Sequence, residues 1–293
     1  MERNMANAPT IQDFFKQFPD DDACLDYLMQ LRHGEVIECS KCGKTGKFHR
    51  TKRHPAYECA WCGFEIYPMV DTMFHRSHVP LQKWFYALYL FTTTRHGVPA
   101  KELQRQLGVS YPTAFRMSHK IRDYMGSVDG EPPLTGHVEV DETYVGGVRR
   151  GKKQGFTGRG SKGKTIVMGI LEREGQIYTK VVPNASPLSL IPPIFKRVKA
   201  GTTISTDEWA PYKILTGLGY DHRTVQHGRK IWAIGEAHVN TLEAFWSMLK
   251  RSIRGTHIHI SPKYLPKYLG EFEYRYNLRK TPELMFGRLL ANL

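Results

Sequence analysis

The chain has 293 residues, enough for more than one core, and its 41% hydrophobic and 24% charged residues are those of an ordinary soluble globular protein. Its 42 Lys+Arg against 28 Asp+Glu leave a formal net charge of +14, an excess that favours a polyanionic partner, most economically nucleic acid. The opening MERNMANAPT has no apolar core and the most apolar run, Trp84–Phe91, is too short to span a bilayer, so the composition argues against a secretory signal and a membrane protein and for a cytoplasmic one.

Residues 1–35 read as a helical leader, two short helices broken at Phe18-Pro19, with Asp20–Asp22 in the first turn of the second and Leu25, Leu28, Met29 and Leu31 on its apolar side. Residues 36–70 carry Cys39-Ser-Lys-Cys42-Gly43 and Cys59-Ala-Trp-Cys62-Gly63, with sixteen residues between the pairs. Each C-x-x-C presents two thiolates from a tight turn, and the glycine after it permits the positive φ of such a knuckle. Two knuckles joined by a hairpin (Lys47–Arg50, Ala56–Tyr57) predict a zinc ribbon in which Cys39, Cys42, Cys59 and Cys62 hold one structural Zn²⁺; a redox motif would need one pair rather than two. So small a segment has little core, so the metal should supply much of its folding energy. Cys24, left over, reads as a buried small hydrophobe.

Residues 78–127 turn helical: Leu81–Phe91, then Ala100–Leu107, a Gly108-Val109-Ser110 turn, and Tyr111–Tyr124. Helix, glycine turn, helix is the spacing of a helix-turn-helix, with Ser110 as N-cap and Pro112 tolerated in the first turn; it is also met in plain helix bundles. Ala114, Met117, Ile121 and Tyr124 recur at 3-4-3 spacing and face inward, which leaves Thr113, Arg116, His119 and Lys120 pointing out, as in a recognition helix that reads DNA.

After a Pro/Gly-rich linker, Ser127–Gly136, residues 137–293 become strand-rich. The expected order is strand His137–Val145, a basic glycine-rich loop with seven Lys/Arg (among them Arg149, Arg150, Lys152 and Lys153, suited to DNA phosphates), and strands Thr165–Leu171 and Gln176–Val182. A helix follows over Pro187–Val198 despite Pro192-Pro193, then a strand Thr202–Thr206 leading into Asp207, a helix over 211–218 and a short strand Thr224–Gln226. The helix His238–Arg254 and a last helix Lys263–Tyr276 close the chain. This order predicts an α/β class, a ribonuclease H-like domain preceded by the ribbon and the helix-turn-helix.

His238–Arg254 splits into an apolar stripe (Leu242, Phe245, Trp246, Leu249, Ile253) and a cationic face that carries one carboxylate, Glu243. Glu243 also fits a capping box with Asn240 as N-cap. Charged residues are disfavoured inside strands, yet Asp141 and Asp207 sit in or at the end of β-branched runs. Mg²⁺ makes that demand: it takes carboxylate oxygens and keeps positions open for water and phosphate. Two ions roughly 3.5–4 Å apart can stabilise both the attacking and leaving oxygens of a phosphodiester, with the third ligand drawn from a helix against the sheet. Lys250, two turns beyond Glu243, shares its face and can meet DNA phosphate. Glu139 and Glu142 flank Asp141; Glu139 shares its face and Glu142 points the other way, and both read as ordinary structural acids, Glu139 being the better exception.

VEVDETYVGG, the basic loop, STDEWAPY, HVNTLEAFWSMLKRSIRGT, GEFEYRYNLR, the cysteine ribbon and the FF-x-x-FP leader together resemble the DDE transposases of bacterial insertion sequences, in the group related to eukaryotic Merlin elements. The resemblance implies that Asp141, Asp207 and Glu243 hold catalytic Mg²⁺ (or Mn²⁺), with Lys250 as the downstream basic residue. Within this group either Asn or Glu is counted as the third site residue, so Asn240 stays a candidate beside Glu243, which an anionic-ligand preference favours. Ser40 departs from the proline frequent in the first knuckle and leaves the ligands intact. The resemblance further implies a bacterial, nucleoid-associated protein that binds transposon ends and target DNA as a homodimer or higher homo-oligomer, and cuts and joins strands; the alternative is a non-catalytic DNA-binding regulator derived from such an element.

Overall fold

The computed structural model describes residues 9–128, 132–146, 163–225 and 238–293. The chain forms two compact units, residues 1–124 with 281–293 and residues 125–280, and the division falls inside one helix. The closing segment 281–293, read from the sequence as the end of the strand-rich domain, thus groups with the first unit.

In the first unit, α1 (Ile11–Gln17) starts in a Thr10–Asp13 capping box and α2 (Asp21–His33) is capped by Asp20, whose carboxylate accepts the Ala23 N–H. The ribbon follows. A two-stranded ladder pairs β1 (Ile37–Glu38) with β2 (Thr45–Gly46), and an antiparallel sheet is built from β3 (Phe48–Arg50), β4 (Tyr57–Cys59) and β5 (Glu65–Ile66). Next come α3 (Leu81–Thr93), α4 (Ala100–Leu107) and α5 (Tyr111–Val128). A helix the sequence reading did not foresee, α9 (Leu284–Ala291), brings Phe286 into edge contact with Phe14, Phe18 and Tyr89. Two phenylalanines of the FF-x-x-FP leader are therefore core: Phe14 and Phe18 are buried, while Phe15 is exposed.

The turn before α5 is as expected, with Gly108 left-handed (φ 62°) and the Ser110 hydroxyl accepting the Thr113 N–H. The outward face of α5 is not. His119 is buried and its ring lies 4.1 Å from that of Phe115, while Lys120 donates to the Met73 carbonyl and Arg122, wholly buried, to the Val98 carbonyl. Heptad-like spacing locates the most apolar face of a helix, but a second layer can cover the opposite side, and here it does. Thr113 stays half-buried and Arg116 exposed.

The second unit is a five-stranded sheet in the order β10-β9-β6-β7-β8, with β6 (His137–Val145), β7 (Thr165–Glu172) and β8 (Ile177–Val182) antiparallel and β9 (Thr203–Asp207) and β10 (Asp221–Val225) parallel to β6. Alternation along β6 sends Val138 and Val140 to one face, where they pack with Leu190 and Ile194 of α6 (Pro187–Arg197) and with Tyr212 and Leu215 of a 3₁₀ segment (Ala210–Leu218). α6 runs unbroken through Pro192-Pro193; Pro193 and its neighbours Leu190 and Ile194 are buried, and this packing outweighs the lost backbone bonds. The other face packs Val145, Val167 and Leu171 against α7 (Asn240–Ser252) and α8 (Leu265–Asn277), through Leu242, Phe245, Trp246, Leu249, Leu269 and Phe272.

α7 lies close on β7 because Gly169 is there. A Cβ at that position would fall 2.6 Å from Trp246 Cζ2 and 2.8 Å from Leu242 Cδ1, in a layer with no slack. Gly169→Ala should therefore lower stability by ~1–3 kcal/mol, the range for an overpacked core, and alter the near-ultraviolet signal of Trp246; unchanged thermal unfolding would mean that α7 does not rest on this glycine.

Candidate active site

Two polar constellations stand out. In the first unit the knuckles close as the glycines require: Gly43 (φ 66°) and Gly63 (φ 69°) donate to the carbonyls of Cys39 and Cys59. This folds the four thiols together, with Cys39 Sγ 3.6 Å from Cys62 Sγ, Cys42 Sγ 3.9 Å from Cys59 Sγ, and all four within 4.8 Å. Four sulfurs at Zn–S distances of about 2.3 Å in a tetrahedron sit about 3.8 Å apart, so this donor set fits zinc. Burial works against the Cys39 thiolate, but the N–H groups of Cys42 and Lys41, with the Cys62 and Cys42 thiols, draw that thiol down to about 7, towards the form that binds metal. Among the described residues no other group of three such side chains approaches as closely.

In the second unit the register builds the site. β6 and β9 pair in parallel from His137↔Thr203 to Glu139↔Ser205, while β6 continues along β7 and β9 along β10. The ladder ends two residues before Asp141 on β6 and Asp207 on β9; Asp141 lies on the face that α7 covers, the charge of Asp207 is felt there, and the chain leaves β6 for β7 on one side and β9 for β10 on the other. Crevices at the carboxyl ends of strands at such a switch point are where open α/β sheets bind ligands.

Glu139, one of the two acids read as structural, is what brings α7 to this edge. Its carboxylate is wholly buried and accepts from Arg173 Nε (2.8 Å), Thr241 Oγ1 (3.0 Å) and the Leu242 N–H (3.0 Å), with His238 Nδ1 at 3.2 Å. The orphan N–H groups that start α7 are thus served from another strand, where a negative charge also suits the helix dipole. The Asn240–Glu243 capping box does not form: Val239 is the N-cap, no side chain bonds it, and Asn240 is exposed.

One turn beyond Glu243, Trp246 Nε1 donates to Asp141 Oδ2 at 3.0 Å, so the indole read as core packing also fixes a site carboxylate; a buried indole N–H needs an acceptor, which was the available signal. Burial, with the charges of Asp207 and then Glu243 adding to it, pushes Asp141 up to about 6. Glu142 is pushed higher, to about 8, by burial and by Asp141 and Asp207, and its Oε1 is buried with no hydrogen-bond partner among the described residues. The site concentrates negative charge that a cation would relieve.

α7 runs on into one π-turn (Ile253–His257), and Ser247, Lys250, Arg251, Arg254 and Gly255 line an open groove of about 550 Å³. Burial draws Lys250 down; Asp141 opposes this, and Arg254 and Lys164 add to it. None of Lys164, Lys250, Arg251 and Arg254 is ion-paired to a described residue. Arg149, Arg150, Lys152 and Lys153 lie outside the described residues.

Sequence comparison identifies both parts of the chain. Residues 133–277 match the ISXO2-like transposase domain and residues 19–65 the transposase zinc-ribbon domain; the chain belongs to this transposase family. It is 26% identical over 285 residues to an uncharacterized protein in transposable element ISH50 of Halobacterium salinarum, covering 91% of this chain and 94% of that protein. An uncharacterized transposase-like protein of Haemophilus influenzae is 29% identical over 102 residues, 35% of this chain and 81% of that one. Among solved structures, the pre-cleavage Mos1 transpososome aligns with 15% identity and a TM-score of 0.27 over 71% of this chain and 78% of that one. The Mos1 paired-end complex aligns with 13% identity and a TM-score of 0.30 over the same shares.

No described helix is long and apolar enough to cross a membrane.

Two outcomes follow from this geometry. Protein purified without chelator should carry one Zn²⁺ per chain by elemental analysis, and Cys42→Ser should lose it together with the protease resistance of residues 36–70; zinc-free, protease-resistant wild type would refute the site. Glu139→Ala leaves Arg173 and the Leu242 N–H without their shared acceptor, and should cost ~3–5 kcal/mol of stability in denaturant unfolding, with Glu139→Gln intermediate.

Proposed function

We propose that this transposase cuts DNA at the ends of its own insertion sequence and joins the freed 3′-hydroxyl to target DNA, in a ribonuclease H-like domain. The sheet order, three antiparallel strands followed by two parallel ones with helices on both faces, supports that assignment. The observation that supports the chemistry is the parallel pairing of β6 with β9, which ends two residues before Asp141 and Asp207, with Trp246 of α7 bonded to Asp141 and the charge of Asp207 felt there.

Asp141, Asp207 and Glu243 would hold Mg²⁺ or Mn²⁺, which when bound would activate the attacking oxygen and neutralise the leaving one. Trp246 keeps Asp141 Oδ2 oriented, and the Trp209 backbone N–H does the same for Asp207 Oδ1 at 3.0 Å. Glu243 is the better third ligand than Asn240, because its charge is felt at Asp141 whereas Asn240 stands exposed in the first turn. Lys250, Arg251 and Arg254 would take the phosphates flanking the cut, as charges with no described counter-ion. On α5 the surface left to read transposon ends is Arg116 with Thr113, since His119 and Lys120 are engaged within the protein. Cutting at two ends calls for two or more copies of the chain in one complex.

The test is cleavage of a labelled duplex carrying the DNA that flanks its gene, at matched occupancy. Asp141→Asn, Asp207→Asn and Glu243→Gln should each reduce strand cleavage at least a hundredfold and leave end binding within a few-fold, whereas Asn240→Ala should keep most activity. Full activity in Asp207→Asn would overturn the reading. Binding without cleavage in wild type, whatever the divalent cation, would instead favour a DNA-binding regulator.

A further inference from the structure

Trp209 follows Asp207 by two residues, and its indole is 49% exposed. A surface tryptophan is ordinarily free to change rotamer, but this one is tied at both ends: its backbone N–H donates to Asp207 Oδ1, and its ring Nε1–H to the Ala185 carbonyl at 3.0 Å. Behind it, buried Tyr212 and Leu215 anchor the 3₁₀ segment to the sheet. The ring N–H, the polar handle of an exposed indole, is therefore already used, and what is left for a ligand is a π-face. A face held rigid in advance loses little entropy on binding.

The neighbouring charges narrow the ligand further. Exposed Glu208 immediately precedes the ring in sequence, and its charge disfavours a second phosphate at the ring and does not disfavour an uncharged planar group. On DNA the group with a π-face and no charge is a base, and it becomes available only when unpaired or displaced from the helix. We propose that Trp209 is a stacking platform for an unpaired nucleobase adjoining the phosphodiester at Asp207; this rests on the strand-cleavage reading above and adds the nucleotide conformation the site selects.

Two readouts test it. In the first, a forked duplex with unpaired thymine arms carries one 2-aminopurine moved stepwise along the arm, bound at saturation in Ca²⁺. At one position wild type should quench the probe several-fold, with recovery in Trp209→Leu and partial quenching kept in Trp209→Phe. Equal emission from wild type and Trp209→Leu at every position would overturn the proposal. In the second, on the flanking-DNA duplex in Mg²⁺, Trp209→Leu should slow cleavage about tenfold, the size of one lost base stack. An abasic site at the stacked position should slow wild type equally and add nothing to the variant, as coupled partners do; losses that multiply at every position would overturn the proposal. If wild type cuts nothing, the cleavage reading falls, and the 2-aminopurine emission still decides whether Trp209 stacks.

Discussion

A carboxylate with no solvent contact has to be surrounded by donors, and Glu139 recruits them from two separate parts of the chain. Arg173 comes from the turn after β7, and Thr241 and the Leu242 N–H from the first turn of α7, with His238 Nδ1 3.2 Å away just before that turn. Arg173 in turn donates to the His238 carbonyl and contacts His137, so the approach to α7 is held from both sides. The half-buried Arg173–Glu139 pair is an expensive way to gain stability, since each ion gives up hydration. Its return is positional: it sets where α7 begins relative to β6, and everything α7 carries, from Glu243 to Arg254, inherits that setting.

A second contact sets the depth. Gly169 pairs with Asp141 across β6 and β7, and the space its missing side chain leaves is filled by Trp246 and Leu242. Trp246 then bonds Asp141, so a glycine, an indole and a carboxylate form a stack from sheet to helix. Such a stack cannot flex far without either a clash or an orphaned indole N–H. Rigidity of this kind matters where several like charges must wait close together, because a carboxylate that could swing away would relieve the repulsion that otherwise favours a cation.

The first unit solves a different problem. Its ribbon strands are two or three residues long and bury little, so the cysteine cluster is what holds the two knuckles together. The helical part has no such shortage: Phe14, Phe18, Phe85, Tyr89 and Phe286 make an aromatic cluster that joins residues as far apart in sequence as Phe14 and Phe286.

Local chemistry was legible in the sequence wherever it depends on neighbours along the chain. The 2-16-2 cysteine spacing, the Ser110 cap, the strand alternation that places Asp141 and Glu139 on one face, and the apolar stripe of α7 all follow from periodicity and turn geometry, and the structure carries each of them. What needed the tertiary structure is whatever depends on a partner distant in sequence. Burial of His119 requires a layer on the far side of α5 that spacing does not reveal. Capping of α7 by Glu139 rather than by its own Asn240 requires a strand a hundred residues upstream, and the return of α9 to the first unit requires the aromatic cluster that receives it. Sequence alone showed two acids in two strands; that β6 and β9 are parallel neighbours, paired up to two residues before Asp141 and Asp207, depends on hydrogen bonds across a crossover that no local pattern encodes.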